Sequence, residues 1–316
     1  MNRDQKIKIA MIICAVIVLC AVIITSTGIF GSAGIGTYAN ADKYTAGGTE
    51  ITDRVRNLDV NWTSGKVILA YHAEETVTLE ESAKRSLPDD EQMHWWLDGN
   101  TLHVQYAKAG IRWNMPEKTL TITLPEGIEL DNATIQTTSG DIEVPALKAN
   151  EIDLGSTSGD IDAAVEADMV RVSATSGDLK VRLNGAADTV SIGTTSGKIN
   201  LETEKADTIK AGSTSGSITI TADESREIKA GSTSGAISVT ARKVEKLHAS
   251  ATSGAVTANL SEEPGFTAKI GMTSGSFSSD IALTKNGDTY VCGDGSAEIE
   301  LGTTSGNIRI AAAEAK

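Results

Sequence analysis

Residues 138–197 read TSGDIEVPALKANEIDLGSTSGDIDAAVEADMVRVSATSGDLKVRLNGAADTVSIGTTSG, and this stretch decides the fold. The tripeptide Thr-Ser-Gly ends at Gly140, Gly159, Gly177 and Gly197, with steps of 19, 18 and 20 residues. Steps of 19, 19 and 19 then lead to Gly216, Gly235 and Gly254. Further copies end at Gly65, Gly275 and Gly306, ten in all. A fixed period of this size marks a repeat architecture, in which one unit cannot bury its apolar face alone.

Counting from each glycine as zero, positions −7 and −5 carry pairs such as Ile152 with Leu154, Val170 with Val172 and Val190 with Ile192. Position +2 is apolar throughout (Ile142, Ile161, Leu179, Ile199, Ile218, Ile237, Val256, Phe277, Ile308), and +4 mostly so. Spacing by two is the strand signature, because successive side chains point to opposite faces. Each repeat therefore reads as two short strands with Thr-Ser-Gly as the corner between them. Glycine suits a corner by adopting φ > 0 freely, and the two hydroxyls can bond the backbone left unpaired there. Short polar links such as Lys205-Ala206-Asp207 complete the coil. A meander would not repeat its corner chemistry every second strand, and a propeller needs a period near 40. The expected fold is all-β, a parallel β-solenoid of about 19 residues per coil, on the order of 40 Å long at ~4.8 Å per coil.

The N-terminus differs in kind. Residues 1–8 carry Arg3, Lys6 and Lys8 against Asp4, and Ile9 to Ile24 is uninterrupted apolar sequence. Extended by Thr25 to Phe30, this predicts one transmembrane helix over 9–30. No Lys or Arg follows until Lys43, so the positive-inside rule puts the tail (1–8) in the cytoplasm and the repeats outside. A cleaved signal peptide is the competing reading, but Ala39-Asn40-Ala41 lies far beyond the apolar run. Val18-Leu19 before Cys20 are not the small residues of a lipoprotein site, so Cys14 and Cys20 read as membrane-buried side chains. Cys292 is then the only external cysteine, and no internal disulfide can staple the ectodomain. The expected division is a linker at 31–50 and an ectodomain at 51–312. An atypical capping segment (71–125) and a hairpin interruption (276–300) break the repeat.

The formal charge is −14, and setting aside the first 30 residues leaves about −16 outside the membrane. That balance argues against nucleic acid or anionic lipid as a partner. Between Gly65 and Gly140 the tripeptide is absent for 75 residues, and all four tryptophans (Trp62, Trp95, Trp96, Trp113) lie in or just before this stretch. It reads as a cap over the open end of the solenoid. The functional alternative is an aromatic platform, with Trp95, Trp96 and Trp113 as candidate contacts for a glycan or a partner protein. Lys285-Asn286-Gly287-Asp288 reads as a hairpin with Asn-Gly in a tight turn.

Leu120 to Pro125, followed by Ile135-Gln136-Thr137-Thr138-Ser139-Gly140-Asp141-Ile142, resembles the bacterial adhesin-named or toast-rack family, as does Gly293 to Gly306. The resemblance spans roughly residues 50–312. It implies a membrane-anchored β-solenoid ectodomain of unknown function, often associated with envelope stress, with no catalytic residues to carry over. Asp141, Asp160 and Asp178 follow three consecutive corners and would stack as a solvated, locally repulsive acidic column; calcium is the disfavoured alternative. His72, His94, His103 and His248 show no metal spacing, although His94 and His103 can be neighbours across a hairpin. No nucleophile elbow, phosphate loop, CxxC or HExxH occurs. The expectation is a non-enzymatic envelope scaffold or sensor needing no cofactor, with envelope-stress membrane proteins or cell-wall glycan as partners; the alternative is an adhesin or glycan-binding module.

Overall fold

The computed structural model describes residues 38–110 and 115–313. The expected tail and membrane helix (1–30) lie outside the described residues, as does Trp113. Among the described residues, no helix is long and apolar enough to cross a membrane. Among the described residues, one continuous hydrogen-bonded sheet of 21 strands wraps around a single apolar core.

In the centre, coils stack in parallel and in sequence order. The Gly197 coil pairs with the Gly216 coil from Ile199↔Ile218 to Thr203↔Ala222, then at Lys205↔Glu224 and Ala206↔Ser225. Pairing resumes from Thr208↔Glu227 to Ser213↔Ser232. Pairing thus runs around three sides, and the third side is the short link. Inward rows such as Ile199, Ile218 and Ile237 are at most 1% exposed. Repetition dictates this: the same apolar residue at the same offset packs on its own copy one coil away.

The corner works differently from its sequence-based reading. Of its glycines, Gly65 (φ 100°) and Gly275 (φ 126°) are clearly left-handed, whereas the seven from Gly140 to Gly254 do not have positive φ. Space is what the six from Gly159 to Gly254 require, whereas Gly140 has room for a Cβ. A Cβ on Gly216 would lie 1.6 Å from the Gly197 carbonyl oxygen, and one on Gly159 would lie 2.0 Å from that of Gly140. The tripeptide's backbone carries the ladder through the bend, as in Ser196 N–H to Thr175 O (2.9 Å) and Ser215 N–H to Thr195 O (2.8 Å). The buried hydroxyl belongs to position −3 instead. Ser156 Oγ donates to Gly140 O (3.2 Å), Thr194 Oγ1 to Gly177 O (3.3 Å) and Ser232 Oγ to Gly216 O (3.3 Å). Each closes a carbonyl of the coil before it, since an unpaired buried acceptor costs free energy.

At both ends, spatial order departs from sequence order. Thr101–Gln105 and Lys118–Pro125 form a coil without the tripeptide, pairing in parallel with the Gly65 coil (Asn57–His72) on its outer side. The Gly140 coil covers the other side of Asn57–His72. Beyond the outer coil lie antiparallel strands: His94–Asp98 and Val77–Ala83, then Thr45–Ala46 and Thr49–Ile51. The stretch expected as linker therefore already holds paired strands at Thr45–Ala46 and Thr49. At the far end the Gly306 coil, last in sequence, inserts between the Gly254 and Gly275 coils. Thr289–Gly293 closes that end antiparallel to Gly265–Ser274 and pairs with Thr284–Asn286. Asn286 faces Thr289, so the two-residue loop is Gly287-Asp288, one residue on from the expected Asn-Gly.

Candidate functional site

Trp95 and Trp96 are neighbours in strand His94–Asp98, so alternation sends them to opposite faces. Trp95 packs against the core, with its indole N–H buried and unpartnered among the described residues. Trp96 stacks on His103 (centroids 5.4 Å apart) and meets Tyr44 edge-on at 5.7 Å; Tyr44 in turn meets Tyr38 at 4.8 Å. Lys43 Nζ sits 4.5 Å over the Trp96 ring. His103 Nδ1 is 2.8 Å from Asp59 Oδ2, and burial pushes the Tyr44 phenol up. The result is a half-buried aromatic cluster on the outer wall of the cap. Trp96 is the one predicted contact residue in it, while Tyr38, Lys43 and Tyr44 were missed because they lie in the stretch read as linker. His94 pairs with Gln105 and is buried, whereas His103 pairs with Trp96, so the two histidines are not direct cross-strand partners.

Inside the cap, the Lys118 side chain is 0% exposed and the Glu81 side chain 8%, with Nζ 2.9 Å from Oε2. Lys118 Nζ also donates to Glu91 O (2.7 Å) and to Tyr106 O. It lies 4.2 Å from the Tyr106 ring centroid and 5.0 Å from that of Trp62. Burial pulls the Lys118 pKa down, against the opposing pull of Glu81. This aromatic box is filled by the protein's own cation, which plugs the core where the solenoid ends.

The long outer faces are internally matched. The Asp141 carboxylate also has a backbone role: its Oδ1 accepts the Asp160 amide at 3.0 Å. Asp160 accepts that of Asp178 (2.8 Å), and Asp178 that of Lys198 (2.8 Å). Each aspartate thus ties its own corner to the next one. Ion pairs run from coil to coil beside them, including Lys180–Asp162 (2.8 Å), Lys205–Glu224 (2.9 Å), Arg226–Asp207 (2.9 Å) and Arg242–Asp223 (3.0 Å). His248 Nδ1 lies 3.1 Å from Glu300 Oε2 across the next coil boundary. Among the described residues no group of three or more His, Cys, Asp or Glu is placed to hold a metal. Cys292 is buried at 5% exposure, and burial raises its thiol pKa.

The family model described as Toastrack DUF4097 matches residues 55–311. Among solved structures, the chain is similar to a Bacteroides fragilis protein provisionally named an adhesin. Identity is 16% and the TM-score 0.43, over 83% of this chain and 95% of that one. It is similar also to a provisionally named lipid-binding protein of Parabacteroides distasonis (14% identity, TM-score 0.39, 84% of this chain and 96% of that one). A Parabacteroides merdae protein, provisionally named an adhesin, shares 12% identity at TM-score 0.36 over 84% of this chain and 96% of that one. No curated protein matches. The chain belongs to the Toastrack DUF4097 family.

Proposed function

We propose that the chain is a non-enzymatic, membrane-anchored module that displays a rigid β-solenoid outside the bacterial cell membrane, as a scaffold or sensor in the envelope-stress response. The observation that carries this reading is the self-matching of the long faces. Coil-to-coil ion pairs such as Arg226–Asp207 and backbone ties such as Asp160–Asp178 occupy outward groups that an active site would need to present. The apolar run Ile9–Ile24 behind Arg3, Lys6 and Lys8 supports the anchor. Deleting the gene and recording an envelope-stress reporter under wall-active antibiotics tests the role. An altered response, restored by the full chain and not by one lacking residues 1–30, is expected; an unchanged response overturns it.

The cluster of Trp96, Tyr44 and Tyr38 favours a second reading, an adhesin or glycan-binding module, because sugar rings stack on half-exposed aromatic faces. Cell-wall glycan pull-down by the ectodomain, lost in Trp96→Ala and retained in Trp62→Phe, is its expected result. Absence of binding, or binding indifferent to Trp96, removes it.

A further inference from the structure

The third side of the solenoid is a ladder of short links, and it stops one rung early. Lys205-Ala206-Asp207 pairs with Glu224-Ser225-Arg226, which pairs with Lys243-Val244-Glu245. Among the described residues the next rung is missing. Pairing of the strand Ile237–Ser253 with its neighbour ends at Ala241↔Leu260 and resumes only at Lys246↔Glu298. The cause lies in the inverted order of the last coils. The link after Leu260 (261–264) must skip the inserted Gly306 coil to reach the strand Gly265–Ser274. Residues 242–245 are left as an open strand edge beside a cleft of about 500 Å³. Val244 and Ala297, both partly exposed, give this cleft its apolar surface over the buried Leu260, Phe266 and Ile299, and Arg242, Lys243, Glu245 and Glu263 line its rim. Val244 is partly exposed there, whereas Ser225 and Ala206, its counterparts one and two rungs back, are 3% and 0% exposed.

We propose that this notch receives an extended peptide segment of a partner protein, which adds as a parallel strand to residues 242–245 and supplies the missing rung. An open edge next to an apolar recess is the geometry of strand addition, where main-chain bonds give affinity and alternate side chains give specificity. The existing rungs specify the segment. One flank of the links alternates Lys205, Glu224, Lys243, with Nζ–Oε contacts of 2.9 and 3.9 Å. The other alternates Asp207, Arg226, Glu245, with Arg226 Nη2 2.9 Å from Asp207. The middle position is small and buried in the first two rungs, Ala206 and Ser225, and is the partly exposed Val244 in the last. The next rung must therefore read acidic, small apolar, basic, with the acid against Lys243, the small side chain over Val244 and the base against Glu245. Charge order across such an edge sets partner choice and direction. This inference is independent of the envelope role proposed above.

The test uses the full chain and two blocked hexapeptides, Thr-Thr-Glu-Ala-Lys-Thr and its charge-swapped counterpart Thr-Thr-Lys-Ala-Glu-Thr, titrated by protein-observed NMR. The first peptide is expected to shift the amides of residues 242–245 and to bind at least about threefold tighter than the second, as a matched pair of rim charges allows. The double variant Lys243→Glu with Glu245→Lys should reverse that preference, with a dispersed amide spectrum confirming that it remains folded. Binding of neither peptide at millimolar concentration, or equal binding of both by the wild type, overturns the proposal. So does a preference that the double variant leaves in place.

Discussion

The central coils and the two ends solve the same problem with different residues. In three central coils a Ser or Thr at position −3 closes the neighbouring corner carbonyl, as Ser232 does for Gly216. In the first coil that position is Trp62, whose indole N–H donates to Lys118 O at 3.1 Å. Lys118 O stands where the next corner carbonyl would be, since Lys118 pairs with Gly65. The role is kept while the side chain grows to fill the open end of the core. The inverted coil order has a parallel logic. A terminal coil placed outermost would have one unpaired edge and would fray. Here the coils nearest both chain ends, Gly65 and Gly306, are each held between two parallel neighbours, and hairpins from within the sequence take the outermost places. A short turn can supply an antiparallel closing strand, whereas a parallel one needs a long crossover.

The largest effect separates a central corner from the junction with the end. Gly216→Ala would force a Cβ to 1.6 Å from the Gly197 carbonyl, backbone against backbone, so the coils must part. The expected cost is about 4 kcal/mol or more, at the top of the single-substitution range. Gly140→Ala meets the Gly65 carbonyl at 3.4 Å and should cost about 1 kcal/mol or less. Thermal or denaturant unfolding of the two variants checks this. Equal destabilisation would mean that the corner glycine is needed for its backbone conformation and not for space.

The next effect lies in the cap. Lys118→Met leaves the Glu81 carboxylate buried without its cation and the Glu91 and Tyr106 carbonyls without their donor. Removing one partner of a buried pair costs about 3–5 kcal/mol. Lys118→Met combined with Glu81→Leu should recover part of that loss, because replacing both members of a buried pair by apolar groups is often near neutral. Glu81 Oε1 also accepts the Met93 amide at 2.8 Å, so the recovery is incomplete. Unfolding free energies of the two variants and of Glu81→Leu complete the cycle. A double variant no more stable than Lys118→Met would show that Lys118 acts through its carbonyl contacts alone.

Much of the centre was legible because a parallel stack repeats its chemistry in register. Offsets of −7, −5, +2 and +4 identify the inward rows directly, and those rows are the buried ones. The small hydroxyl at −3 also recurs (Ser156, Thr194, Ser213, Ser232), with Ala174 and Ala251 as exceptions, but the more uniform tripeptide beside it drew the hydrogen-bonding role. The aspartates after the corners were read as repelling each other, since sequence gives their stacking but not the amide each one faces. Coil order at the ends had no local signal. Which copy of an apolar strand pairs with which depends on where the intervening hairpins fold, and the Gly306 coil carries the same offsets whichever neighbour it meets. The Trp96 cluster was half visible for a similar reason: Tyr38 and Tyr44 reach it only because Thr45–Ala46 pairs with Trp95 and His94.

The smallest effect probes the seam between the end and the regular stack, where pH supplies the control. Asp153 lies on the outward row beside Gln136, whose Nε2 donates to Oδ1 at 3.1 Å. The nearby Arg171 guanidinium bonds Glu151. Burial pushes the Asp153 carboxyl from its ordinary value of 3.8 up to about 6, outweighing the attraction of Arg171. A group whose pKa is raised by folding stabilises the fold below its unfolded pKa and loses that contribution as pH rises through the folded value. Wild type should therefore lose stability between about pH 4 and pH 7 relative to Asp153→Asn, which keeps the amide-sized side chain and cannot ionise. The two proteins should melt alike near pH 3.5, and at pH 7.5 the variant should be more stable by about 1–3 kcal/mol, the free energy equivalent of the shift. The same substitution at Asp160, where the carboxylate is exposed and accepts the Asp178 amide, should show no such gain at neutral pH. If Asp153→Asn is less stable than wild type at pH 7.5, the ionised carboxylate is held by Arg171 more strongly than burial disfavours it. The seam would then be tied by charge, as the central coils are.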